Sequence, residues 1–442
     1  VSSPVERFRE LLRIPTVSHV DPARVDVGAF DAFHEGLERL YPRLHAALER
    51  EVVSGHALLY RWRGASDAEP LVLMAHMDVV PVVAEEWQHP PFAAEITGTG
   101  ADARIHARGA IDDKGALVAI VEAVEGLLAD GVTPAHDVYL AFGHDEEIGG
   151  TGAQAIVDVL HARGVRPSLV IDEGGAVVRG AVPGVSAPTA MIGVAERGIL
   201  SLALTVPERG GHASTPPAMP ATARLARAID RLRRRPFPRR LASPVRAMLA
   251  TAAPHASGAL RPVLRRLDGF GPLLARVLSR LGPELNAMVR TTAVVTELSG
   301  SDGQNVLATH ARATVDIRLL TGDTVDSAVA HVRRAVADPS VEIEVLRGND
   351  PSAVSPWRGD AWRRVARAVH ATLGDDVVPL PYLQLGASDS RWFTRISDAV
   401  YRFAPFTLSA DERAALHSHD ERIGVDTWLR GIEFYRAVIL DR

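Results

Sequence analysis

Three short apolar runs in this chain, 71–75 (LVLMA), 138–142 (VYLAF) and 169–171 (LVI), each lead within a few residues into acids or a histidine. Runs of that length without polar alternation read as strands buried on both faces, as in a parallel sheet. Such a sheet must be covered. Residues 115–128 offer a cover, because Leu117, Val118, Ile120, Val121, Val124, Leu127 and Leu128 recur at helical spacing. Strands alternating with helices predict an α/β unit with a central, mostly parallel sheet over residues 1–195. In sheets of this kind, ligands collect at the carboxyl ends of the strands.

The residues at those ends carry the chemistry. The second run leads into His144-Asp145-Glu146-Glu147-Ile148-Gly149-Gly150. Adjacent acids raise each other's pKa, so the pair makes sense if one binds a cation while its neighbour handles a proton. A solvated loop would explain the pair equally well on its own. The first run ends in His76-Met77-Asp78, and residues two apart on a strand share a face. Asp78 can therefore accept from one imidazole nitrogen and leave the other for a metal, with a structural salt link as the plain alternative. The third run ends in Asp172-Glu173-Gly174-Gly175.

Two more segments add donors. Arg108-Gly109-Ala110-Ile111-Asp112-Asp113-Lys114-Gly115 precedes the amphipathic helix, where one Asp can cap and the other can bridge two metals. Leu416-His417-Ser418-His419-Asp420-Glu421-Arg422 offers a further imidazole. Each segment alone is more often structural. Four of them in one unit point to carboxylate–imidazole metal chemistry, and a chain without Cys has no thiolate to offer. Such ligands suit zinc, manganese or cobalt hydrolases.

Near residue 196 the texture changes. Residues 198–206 alternate like a half-exposed strand, 221–235 fit a helix, and strands follow at 289–298 and 312–320. A helix at 325–337 and a strand at 341–346 complete a β-α-β-β-α-β order, read as an inserted α+β domain over 196–348. The chain then returns to the first domain over 349–442. Inside the insertion, residues 231–286 form a helical excursion rich in Arg, Pro, Leu and Ala. A solvated basic face, or a role at a membrane surface or with a lipophilic substrate, would explain it. Nucleic acid is the weakest reading, because no aromatic interleaving accompanies the arginines.

The whole chain of 442 residues has room for two domains, and its net charge of −5 provides no basic field for nucleic acid. It has no apolar run of about 18 residues or more, so no transmembrane segment is expected. The cytoplasm is the expected compartment. A first residue other than Met leaves a secreted or periplasmic location open.

Taken together, His-x-Asp, Arg-Gly-Ala-x-Asp-Asp-Lys-Gly, Asp-Glu-Glu, Asp-Glu-Gly and Leu-His-x-His-Asp-Glu-Arg resemble the motifs of the M20 family of metallopeptidases. They occur in the family's order and cover nearly the whole chain. The Gly-His-Asp-Glu-Glu-Ile-Gly-Gly and Asp-Glu-Gly-Gly forms are most similar to the branch containing yeast carboxypeptidase S and the mammalian N-acyl-amino-acid hydrolase/synthase. The resemblance implies a zinc-exopeptidase-like catalytic domain with an inserted lid and dimerisation domain. It also implies two divalent ions, zinc first, with cobalt or manganese as other choices. His76, Asp112 and Glu173 would serve one ion, with Asp172 the weaker candidate for the last position. Asp112 would bridge to a second ion held by Glu147 and His417.

In the same resemblance Glu146 is the general base and acid, and Asp78 orients His76. His212, in Gly210-Gly211-His212-Ala213-Ser214, would polarise the scissile carbonyl, in many relatives from the partner subunit, which leaves a homodimer through the lid open. Asn305 would help hold the oxyanion. Arg318, together with Gly386, Ala387 and Arg391, would receive the substrate's free carboxylate. A loop histidine and structural ion pairs are the plain alternatives for His212, Arg318 and Arg391. The implied substrate is an N-acyl amino acid, or a short peptide attacked from its C-terminal side. A dipeptidase or aminopeptidase and a non-catalytic homologue are the competing readings.

Overall fold

The computed structural model describes residues 2–258 and 260–441. Its main element is an eight-stranded sheet in the order Glu49–Val53, Ala57–Trp62, His136–Gly143, Ser66–His76, Leu169–Val178, Val400–Thr407, Thr189–Glu196, Val378–Gln384. The four strands from His136–Gly143 to Val400–Thr407 run parallel, and the pairings that flank them are antiparallel. The sheet is therefore mixed around a parallel centre, as the alternation of strand and helix signals implies.

Both faces are covered, which explains the unbroken apolar runs. Leu71, Leu73 and Ala75 join one cluster with Leu117, Val121 and Trp428, while Val72 and Met74 join another with Ile156, Val157 and Leu160. That partition is the period-2 alternation of a strand. The helix Lys114–Ala129 is buried nearly all round, and the indole of Trp428 donates to the Gly115 carbonyl at its start while stacking on Phe8. This contact fastens the C-terminal helix Val425–Leu440, and the segment before it, beside the loop that carries Asp112.

A second, four-stranded sheet has the order Thr292–Ser299, His310–Leu319, Gly198–Pro207, Glu342–Asn349, all antiparallel. One face packs on the helices Ala221–Arg234 and Val325–Val336 through Leu200, Leu202, Leu204, Leu225, Val332 and Val336. Residue 289 is not strand, contrary to the reading of 289–298. Met288 and Val289 close the helix Pro283–Val289 because both are drawn into the large core.

The excursion is helical, with Ser243–Ala252, Leu260–Arg265, Leu267–Leu278 and Pro283–Val289. It does not extend the small sheet's layer. Val245, Met248, Leu249, Ala275 and Leu278 share the apolar cluster of the large sheet, and the helix Ser243–Ala252 packs on its edge strand Val378–Gln384. Its basic start is absorbed locally. Arg231 and Arg235 donate to the carbonyls of residues 334–337 at the C-terminal end of Val325–Val336, where backbone acceptors lack helical partners. Arg233 and Arg234 pair with Asp230. Among the described residues no helix is long and apolar enough to cross a membrane.

Candidate metal centre

Two groups of side chains converge at the carboxyl ends of the central strands. His76, Asp112 and Glu173 form one; Asp112, Glu147 and His417 form the other; within each, the donor atoms lie within 4.8 Å of one another. Asp112 belongs to both because its two oxygens point in different directions. Oδ1 lies 3.1 Å from His76 Nε2, and Oδ2 lies 2.9 Å from His417 Nε2. His76 Nε2 is also 3.7 Å from Glu173 Oε1, and His417 Nε2 is 3.1 Å from Glu147 Oε2.

Asp172, the weaker candidate, points elsewhere: its Oδ2 accepts from the Ser390 N–H at 2.8 Å. Asp113 takes the N-cap position of Lys114–Ala129 but makes no capping bond. Its Oδ2 instead accepts from the His76 N–H at 3.2 Å, so the expectation that one of the two Asp side chains caps the helix is corrected. The Asp112–Asp113 peptide bond is cis.

The surrounding framework sets this geometry. His76 Nδ1 lies 2.9 Å from the Asp78 carbonyl oxygen and 3.3 Å from the Asp78 carboxylate, leaving Nε2 for the centre. The same carboxylate accepts the N–H groups of Glu146 and Glu147 at 3.1 and 3.2 Å. Asp78 thus fixes both the imidazole and the acidic turn. After that turn, Gly150 adopts φ +69° and lies so close to Asp389 that a Cβ would sit 1.8 Å from Oδ1. Asp145 then accepts the N–H groups of Thr151 and Gly152 at the start of the next helix.

Glu421 was not singled out from sequence, although it stands in a quoted motif. It is fully buried, and its Oε2 accepts from Arg108 Nη1 at 2.7 Å and from the Gly109 N–H at 3.0 Å. Oε1 takes the N–H groups of Ile111 and Asp112 at 2.7 and 3.1 Å. One carboxylate therefore holds the loop that aims Asp112. Arg108 also donates to the Ser418 carbonyl, beside His417, whose left-handed φ of 57° is uncommon for a residue with a side chain. Glu421→Gln leaves Arg108 buried without its counter-charge, which costs about 3–5 kcal/mol. Urea unfolding of the variant should show that loss, and an unchanged midpoint would refute the clamp.

The electrostatics favour positive charge. Burial opposes the His76 imidazolium, yet hydrogen bonds with Asp112 and Asp78 hold its pKa well above the usual value. His417, hydrogen-bonded to Asp112 and Glu147, is pushed up to about 10. Burial raises Glu146 and Glu173 well above the carboxylate range and also raises Glu147. For Asp112, burial is outweighed by the two imidazoles, and its pKa falls. Glu147 Oε1 is buried with no hydrogen-bond partner among the described residues.

The remaining candidates are more dispersed. Glu146 is half-buried beside the centre and belongs to neither donor group. His212 and Asn305 are neighbours on the small two-stranded ribbon Gly211–His212/Val306–Leu307, where the Ala213 N–H donates to the Asn305 carbonyl. Both are exposed, and His212 Nδ1 accepts from the Ser214 N–H. Neither touches the centre. Arg318 is held by Asp316 at 3.0 Å on its own strand, the structural ion pair given as its plain alternative.

The loop 386–391 lies closer. Arg391 Nη2 donates to the Gly149 carbonyl at 3.2 Å, and Glu196 and Asp172 fix Ser388 and Ser390 from below. No backbone acceptor takes the N–H of Gly386 or Ala387 among the described residues. Arg197, which the sequence reading passed over, is buried at the change in texture and donates to the Arg290 and Arg318 carbonyls.

The sequence profile of Peptidase family M20/M25/M40 matches residues 72–441. The chain is 34% identical over 441 residues to the N-fatty-acyl-amino acid synthase/hydrolase PM20D1 of Xenopus tropicalis, covering 98% of this chain and 85% of that protein. It is 32% identical over 416 residues to the probable carboxypeptidase S-like 2 of Dictyostelium discoideum, covering 93% and 79%. Among solved structures, the M20 family metallo-carboxypeptidase Sso-CP2 from Sulfolobus solfataricus has the same fold, with a TM-score of 0.71 and 18% identity over 100% of this chain and 99% of that one.

Proposed function

Because the chain belongs to peptidase family M20/M25/M40 and is a hydrolase, we propose that it uses two divalent metal ions to cleave amides adjacent to a free carboxylate. The substrates are N-acyl amino acids or the last peptide bond of short peptides. The observation that carries this reading is the Asp112 carboxylate, whose oxygens face two separate imidazole–carboxylate groups. The donors fit such ions. They are two imidazoles and three carboxylates with no sulfur, and the unpartnered Glu147 Oε1 is a buried acceptor. His76, Asp112 and Glu173 would hold one ion and Asp112, Glu147 and His417 the other, zinc being favoured over cobalt or manganese. When bound, the pair supplies Lewis-acid polarisation of a carbonyl and acidification of water.

The chain's own residues do the rest. Glu146, beside the centre but in neither donor group, is placed to take a proton from attacking water and return it to the leaving nitrogen. The Gly386 and Ala387 N–H groups and Arg391 would receive the substrate carboxylate, and Arg318, whose Nε is engaged by Asp316, would join them through its remaining donors. His212 and Asn305 would meet the substrate carbonyl on closure of the small sheet over the centre, or from a second copy of the chain.

N-acetyl-Leu, N-lauroyl-Phe and Leu-Gly separate the readings when offered to the zinc-loaded protein. The two acylated amino acids should be hydrolysed, whether or not Leu-Gly is cleaved as well. Turnover of Leu-Gly alone would overturn the carboxylate-first reading. A chelator should abolish the activity and zinc restore it, whereas chelator-resistant hydrolysis would remove the metals from the account.

A further inference from the structure

The excursion has a second apolar face that the fold does not use. Along and just beyond the helix Leu267–Leu278, Phe270, Leu273, Val277 and Leu281 are 41, 60, 43 and 58% exposed. Spacings of three and four place Phe270, Leu273 and Val277 on one stripe, and Leu281 follows just past the helix end. The helix is already anchored by another side, where Leu267, Ala275 and Leu278 are buried in the large core. Packing therefore does not explain the outer stripe.

The charge around it is one-sided. Residues 260–281 contain five arginines, Arg261, Arg265, Arg266, Arg276 and Arg280, and a single acidic residue. None of the five guanidiniums pairs with a carboxylate among the described residues. Over 231–290 there are thirteen arginines against two acids, in a chain whose net charge is −5. The rest of the molecule is thus acidic, and this segment is its positive pole. An anionic surface would attract this pole and repel the remainder, orienting the protein as it approaches.

We propose that the exposed face of Leu267–Leu278, with its bordering arginines, docks the protein on an anionic lipid surface. The apolar stripe enters the headgroup boundary, and the arginines keep their guanidiniums at the phosphates. Charge argues against a second copy as the occupant, because two such faces would bring ten cations together. Phe270 is the only aromatic residue in 260–281, too few for stacking nucleic-acid bases. The docking is independent of which amide the metal centre cleaves.

Co-sedimentation with vesicles tests it. The wild-type chain should pellet with equimolar phosphatidylcholine and phosphatidylserine, be released by high salt, and bind phosphatidylcholine alone weakly. Arg276→Gln with Arg280→Gln should weaken binding about 25-fold, about fivefold per arginine. Leu273→Ser with Val277→Ser should lose binding while both double variants keep the wild-type melting temperature. Absent wild-type binding, or variants that bind like the wild type, would overturn the proposal. So would a self-association that Leu273→Ser disrupts without any vesicle binding. The readout uses no catalysis, so a wrong substrate assignment would leave it intact.

Discussion

Glu146→Gln should leave a folded protein with its full metal content and a kcat lowered about 10²–10⁴-fold, the range of a lost general acid–base. The expectation follows from position. Glu146 lies outside both donor groups, so neither ion loses a ligand, and its backbone N–H remains free to donate to Asp78. Gln matches the side chain in shape but cannot accept a proton at neutral pH. KM should change little, because nothing that receives the substrate carboxylate is touched. Hydrolysis of N-acetyl-Leu, measured beside metal content, tests both halves. Full activity in the variant would reject Glu146 as the proton carrier.

Asp112→Asn should remove both ions together. Each group keeps only two other members, His76 with Glu173 and Glu147 with His417, and loses the charge between them. Losing an outer partner of a ligand typically costs about 10–100-fold in metal affinity, and a shared ligand should cost more. His76→Ala, in contrast, removes a member of one group only and should leave the second ion in place. Metal titration separates the two variants. Parallel behaviour, with one ion retained in each, would show that Asp112 is not shared.

The main sheet was legible from sequence because its signal is local. Leu71, Val72, Leu73, Met74 and Ala75 are apolar without interruption since both faces of their strand are covered. Of the five residues proposed as donors, His76 ends its strand and Asp112 precedes a helix, positions where side chains project into shared space. Glu173, in contrast, lies within the strand Leu169–Val178, and His417 in a turn. What remained hidden depends on long-range partners. Glu421 acts on backbone N–H groups more than 300 residues away, and a side-chain pattern does not show which amides a carboxylate will meet. Asp172 and Glu173 are neighbours with opposite destinations, and only the packing of Ser390 against Asp172 separates them. In the same way, residues 243–289 announce apolar faces but not the surface that covers them, so their attachment to the large core appears only in three dimensions.

Anomalous diffraction from crystals of the zinc-loaded protein is the most direct measurement. Two peaks per chain are predicted, one against His76 and Glu173 and one against Glu147 and His417, with an oxygen of Asp112 on each. A single peak, or zinc bound away from these side chains, would contradict the shared-carboxylate centre.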